Sequence, residues 1–239
     1  MSLNARKVES GGGKKHPIMD PGTYSARLVQ VIDLGLQKQR PFKGQDKDPA
    51  NEIMLTYEFV DEFLLDEDGN EMTDKPRWLS EQLPFHNLDV DRANSTKRYY
   101  ALDPEEKHKG DFAALIGTPV MVTVVHSKPS AKGVVYNNIA AVSSMTAKMA
   151  AKTEELVNPP KILSLDEPDT EIFLSLPDWI QDKIKDGLEF EGSKLDKALS
   201  NNNKADQEDL DDEIPFDEGA EESQEDQAED ETESKDEDW

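Results

Sequence analysis

A change of hydrophobic period divides this sequence and limits what it can fold into. Up to residue 83 apolar side chains recur at every second position; near residue 91 the spacing becomes helical, and from residue 119 it returns to two. From Thr23 to Gln37, Tyr24, Ala26 and Leu28 alternate with Ser25, Arg27 and Val29, and Val31, Ile32, Leu34 and Leu36 extend the run, with Gly35 marking a bulge or bend. Glu52 to Phe63 carries Ile53, Leu55, Tyr57 and Phe59 on one face of a second strand. Asp66-Glu67-Asp68-Gly69-Asn70 is a hairpin loop, and Arg77 to Leu83 is a shorter third strand. Asp91–Leu102 and Asp111–Ile116 read as helical pieces separated by Asp103-Pro104, the second stopped by Gly117. Pro119–Val125 and Gly133–Val142 supply strands four and five.

Three strands, a helical connection and two further strands are the element order of a five-stranded OB-type barrel, in which one long bent strand serves both sheets. An antiparallel sandwich accepts the same strands but does not ask for a helix at that place. Met145–Leu156 reads as helical and is ended by Asn158-Pro159-Pro160. In residues 166–199, Ile172, Phe173, Leu176, Trp179, Ile180 and Ile184 recur at helical spacing, a stripe expected to pack onto the barrel or onto a second copy in a homodimer. The expected layout is a disordered N-terminus over 1–17, an OB-type domain over 18–145, a helical extension over 146–199 and a disordered acidic tail over 200–239.

Charge is distributed unevenly. The chain of 239 residues has a formal net charge of −25, of which residues 201–239, with 19 acidic and two basic residues, hold −17. The remainder is only mildly acidic, which leaves a nucleic-acid ligand open. There is no cysteine, so disulfides, thiolate metal sites and cysteine nucleophiles are excluded. No apolar run approaches the length of a membrane span. The polar, Gly-rich N-terminus has no secretory core, so the expected compartment is the cytoplasm. His16, His86, His108 and His126 are scattered without metal-ligand spacing, and no Gly-rich phosphate loop stands between a strand and a helix. The reading is of a protein with no catalytic residue, metal or cofactor.

Binding chemistry is better supplied. The two loops that flank an OB binding face carry Lys38, Arg40, Phe42, Lys43 and Lys47 in one case and Lys128 and Lys132 in the other. Lys97-Arg98-Tyr99-Tyr100 is a third basic-aromatic cluster, and Arg77, Trp78 and Tyr136 are further candidates. Single-strand binders need cations to follow phosphates and aromatic faces on which any base can stack. Against this, Tyr24, Tyr57 and Phe59 are expected in the core, Trp78 is as readily packing as platform, and one of Tyr99 and Tyr100 should face inward.

In the tail, Leu210-Asp211-Asp212-Glu213-Ile214-Pro215-Phe216 is an apolar island among acids, and the sequence ends in Lys235-Asp236-Glu237-Asp238-Trp239. A solubilising tail needs neither. With these residues the chain resembles the single-stranded-DNA-binding proteins of tailed bacteriophages, in which an OB barrel is followed by a helix and an acidic tail that in podovirus members ends in an aromatic residue. Asp212 to Phe216 is similar to the acidic Ile-Pro-Phe tip of bacterial single-stranded-DNA-binding proteins, although Phe216 is internal here. The resemblance implies sequence-independent coating of single-stranded DNA in replication, recombination and repair within the host cytoplasm. It also implies docking of a DNA polymerase or helicase through Ile214, Pro215, Phe216 or Trp239. Two other classes compete: an acidic DNA mimic or chaperone that binds basic partners, and a metal-dependent nuclease.

Overall fold

The computed structural model describes residues 17–208. Six strands form one sheet: β1 (Gly22–Gln37), β2 (Ala50–Leu65), β3 (Glu71–Pro84), β4 (Pro119–His126), β5 (Asn137–Ser144) and β6 (Lys161–Leu163). The path is β3-β2-β1-β4-β5, all antiparallel, and β6 lies parallel to β1 off this path. β1 organises the whole. Its first half, Gly22 to Arg27, pairs with β4, Gln30 to Ile32 pair with β6, and β2 follows it from Ala26 to Gln37. Register shifts between Leu28 and Gln30 and between Asp33 and Gly35 bend the strand where it changes partners. Gly35 has φ 73°, and a Cβ there would meet the Leu165 side chain at 3.0 Å, so the bend read from the sequence needs glycine.

Two apolar cores lie on opposite faces of β1 and β2. Ile53, Leu55, Tyr57 and Phe59 point inward, joined by Leu28, Val120, Val122 and Val124. α1 (Asn94–Leu102) adds Tyr99 and Leu102 to this core, and Phe112 stacks edge-on against Tyr99 at 5.3 Å. On the outer face, Ile32, Leu34 and Met54 meet the C-terminal helices α3 (Thr170–Leu174), α4 (Asp178–Lys185) and α5 (Lys194–Glu208), which follow the short α2 (Ala147–Ala150). The Asp169 carboxylate caps α3 by accepting from the Glu171 and Ile172 amides. Phe173, Leu176, Ile180 and Ile184 are buried in this second core. The expected stripe is therefore packed onto the sheet, with one exception: Trp179 is 54% exposed. Phe173→Ala should lower the unfolding free energy by about 3–5 kcal/mol in denaturant titrations; a loss below 1 kcal/mol would show that the second core is not cooperative with the first.

Several boundaries differ from the expected ones. The strands form one open sheet: β3 and β5 end its path and share no ladder among the described residues, while α1 packs against β3, β4 and β5. β3 begins at Glu71 because the hairpin extends past Asp66, whose carboxylate accepts from the Asp68 and Asn70 amides. β5 begins at Asn137, since Ser130 to Val134 close a turn of their own. The helix expected over 145–156 shrinks to Ala147–Ala150; the residues after it are drawn onto the sheet by side chains distant in sequence, and β6 follows Pro159-Pro160 unforeseen. α1 starts at Asn94, and the piece at 111–116 is a single 3₁₀ turn, Ala113–Leu115. α5 runs through Ser200 to Glu208. Ile214, Pro215, Phe216 and Trp239 lie outside the described residues, as do residues 1–16.

Candidate nucleic-acid interface

The loop joining β1 to β2 is built around a two-residue turn. The Phe42 and Gln45 amides each donate to the other residue's carbonyl, at 2.9 and 3.1 Å, and Lys43 and Gly44 between them have φ 53° and 79°. Positive φ at both central positions is the type I′ signature, which holds the tip against the twist of its two flanks. Phe42 is 59% exposed, with the ammonium groups of Lys43 and Lys47 at 5.3 and 5.1 Å from its ring centroid. Lys38 and Arg40 are exposed on the same loop, and none of these four cations forms an ion pair among the described residues.

A second group lies at the other end of β1. Gly22 pairs with Val124 while Gln37 pairs with Ala50, so the β4–β5 loop and the β1–β2 loop are separated by the length of the strand, about 50 Å of contour. Lys128, Lys132 and Tyr136 are exposed on the β4–β5 loop, where Ser127 and Tyr136 fasten its base through two hydrogen bonds. Arg77 and Trp78 of β3 share a hollow with Met19 and Asn137, the first residue of β5. The open edge between β3 and β5 thus brings Arg77, Trp78 and the β4–β5 loop to one end of the sheet. The Arg77 guanidinium is partly committed, donating to the Phe63 and Pro17 carbonyls.

The helical cluster divides. Lys97 is exposed and Tyr100 half-buried, bordering a shallow groove with Ser143 and Ser144. Arg98 and Tyr99 are corrections to the expected binding set. The Arg98 guanidinium grips Glu81 through both carboxylate oxygens at 2.6 and 2.9 Å, and both side chains are close to nine-tenths buried. Tyr99 is fully buried, donating to Asp103 and accepting from the Gly110 amide. On a helix laid against a sheet, neighbouring residues cannot all face solvent, and these two take the inner side.

Sequence reading missed a polar row on the outer face of β1, β2 and β3: Arg27, Glu58 and Trp78 stand side by side in register. Arg27 donates to the Gly117, Thr153 and Glu154 carbonyls and to the Glu155 carboxylate. Glu58 is buried and accepts from the Val157 and Asn158 amides, the Asn158 side chain and the Trp78 indole. The two ions hold opposite ends of the segment 153–158, one by its carbonyls and the other by its amides. Their only sequence signal is polarity at alternate positions of otherwise apolar strands.

A cavity of about 500 Å³ between the two cores is lined by Asp33, Asp111, Asp166 and Glu189 among apolar groups and by no Lys or Arg, so it repels phosphate. Among the described residues no group of three or more His, Cys, Asp or Glu side chains could hold a metal ion, and no helix is long and apolar enough to cross a membrane. No protein-family model matches the sequence, and no curated protein matches it.

Proposed function

We propose that this chain is a single-stranded-DNA-binding protein of the OB type that acts without sequence preference in phage DNA replication, recombination and repair in the host cytoplasm. One observation carries the reading: Phe42, Trp78 and Tyr136 are all exposed in an otherwise acidic protein, Phe42 with Lys43 and Lys47 at its ring, Trp78 in one hollow with Arg77, and Tyr136 on the loop that also carries Lys128 and Lys132. An exposed ring beside a cation suits a ligand with flat faces and a charged backbone, and stacking accepts any base. The strand order β3-β2-β1-β4-β5, with α1 between β3 and β4, supports the OB assignment, since it is the order met in going round such a barrel from β3 to β5. The tail would compete with phosphate for the cationic loops and dock a polymerase or helicase when released.

The test is a titration of the full chain with oligo-dT, followed by tryptophan emission, with and without magnesium. Saturable quenching without cleavage is the expected result. No response would favour the acidic mimic, and cleavage would favour the nuclease. Deleting residues 201–239 should tighten binding at low salt, because 17 net negative charges are removed. That gain should shrink as salt rises and the Debye length falls to about 8 Å at physiological ionic strength. Weaker binding after deletion would refute the competition.

A further inference from the structure

We infer that the cavity between the two cores is a docking site for a basic segment of a partner protein, which seats an apolar side chain inside and Lys or Arg at the rim. The inference stands apart from the single-strand reading, since none of the residues that reading uses lines this cavity. The lining is mainly apolar. Phe85 and Ile162 are 43% and 37% exposed there, Leu36, Leu165 and Phe190 are half-buried, and Phe112 lies buried with its ring 5.7 Å from that of Phe85. The walls are tied to the sheet before any ligand arrives. Asp33 accepts from the Gly35 and Leu165 amides at 2.9 and 3.3 Å, the Leu188 amide donates to the Leu36 carbonyl, and the Phe85 amide donates to the Asn51 carbonyl. Leu36 and Asn51 are paired just before the β1–β2 loop, so the site lies at the base of that loop.

Charge complementarity selects the occupant. Asp33, Asp111, Asp166 and Glu189 reach the cavity from four separate segments, and no Lys, Arg or His lines it. The last three are exposed, and none of the four forms an ion pair among the described residues. Lys194 is turned to the Asp166 backbone carbonyl rather than to its carboxylate. Carboxylates spread around an apolar floor call for several cations spaced about one apolar body, which a chain segment with Lys or Arg flanking an apolar side chain supplies. Arg suits the place best, because its planar cation stacks on an exposed ring such as Phe85 and forks onto a carboxylate. The same charge turns away DNA and the acidic residues 201–239 of this chain.

The experiment is a calorimetric titration of the full-length chain with a synthetic peptide in which Arg and Leu alternate, with hydrogen exchange measured on the complex. Saturable binding should slow exchange in residues 110–113, 162–166 and 187–190. Asp166→Asn/Glu189→Gln should weaken binding about 5- to 10-fold at low salt with an unchanged melting temperature, since both carboxylates are exposed. Phe85→Ala should weaken it about 3- to 10-fold; if that variant does not fold, the carboxylate variant decides. The acidic tail also attracts Arg, but binding there is blind to the carboxylate variant and leaves exchange at the cavity unchanged, and that result overturns the proposal. Equal binding of the peptide with Glu in place of Arg, or no binding, also overturns it. Argininamide binding as tightly as the peptide would make the occupant a small cation, and self-association that Phe85→Ala abolishes would make it a second copy; either outcome overturns the partner segment.

Discussion

Reversing the charge of Lys38, Arg40, Lys43, Lys128 and Lys132 to Glu should weaken oligo-dT binding by about 100-fold or more at 50 mM salt. All five side chains are exposed and none has an ion partner among the described residues, so the substitutions should leave folding intact. Each phosphate neutralised on a single strand contributes about −0.7 to the slope of log affinity against log salt, so removing five contacts should flatten that slope by up to about 3.5. Reversing only the β1–β2 loop or only the β4–β5 loop separates two arrangements. The loops stand at opposite ends of β1. If one strand spans both, each half-variant loses part of the slope with a long oligomer, whereas a short oligomer feels only one of them. An unchanged affinity in the fivefold variant would show that these loops are not the phosphate track.

The second large effect is on stability. Arg98→Met leaves the Glu81 carboxylate in the protein with, among the described residues, only the Tyr57 hydroxyl, at 3.2 Å, as a side-chain donor. Removing one partner of a buried pair costs about 3–5 kcal/mol, which for a domain of this size lowers the melting temperature by roughly 6–20 °C. Binding of oligo-dT by the folded fraction should be unaffected, since neither Arg98 nor Glu81 faces the interface. A loss of DNA affinity at unchanged stability would return Arg98 to the binding set. The same network sets the response to alkali. Burial first, and then the Glu81 charge beside it, push the Tyr57 hydroxyl well above its ordinary 10.0. The unfolded chain therefore gives up this proton at lower pH than the folded one. Its contribution to stability is complete below pH 10 and declines as pH rises beyond that value. Tyr57→Phe should blunt this alkaline loss, which melting curves across pH 9 to 11 would resolve.

The strands of this protein are written locally. Alternation in β1, β2 and β4 reflects a pleat with one face toward Tyr57, Phe59 and the valines of β4, and a period of two cannot be mistaken over a dozen residues. Gly35 is legible for the same local reason, because the bend requires a backbone angle that side chains oppose. The exposure of Phe42 with its lysines and of the β4–β5 loop was legible because cations in loops of an acidic chain have little structural use.

What the tertiary structure decided lies wherever one segment is shaped by another distant in sequence. The sequence reads as helical over 145–156, yet Arg27 and Glu58 offer the backbone of 153–158 better partners than a continued helix would. Propensity amounts to a few tenths of a kcal/mol per residue, and charge-assisted hydrogen bonds from a buried row exceed it. Arg98 and Tyr99 look like their neighbours, the exposed Lys97 and the half-buried Tyr100, until Glu81 and Asp103 are placed across from them. β1 is too long for one neighbour, but its division between β4 and β6 depends on where residue 161 returns, which no local period encodes. Hydrophobic period is a property of adjacent residues and can be read along the chain. The partner of a buried charge is a property of the fold, and only the assembled sheet names it.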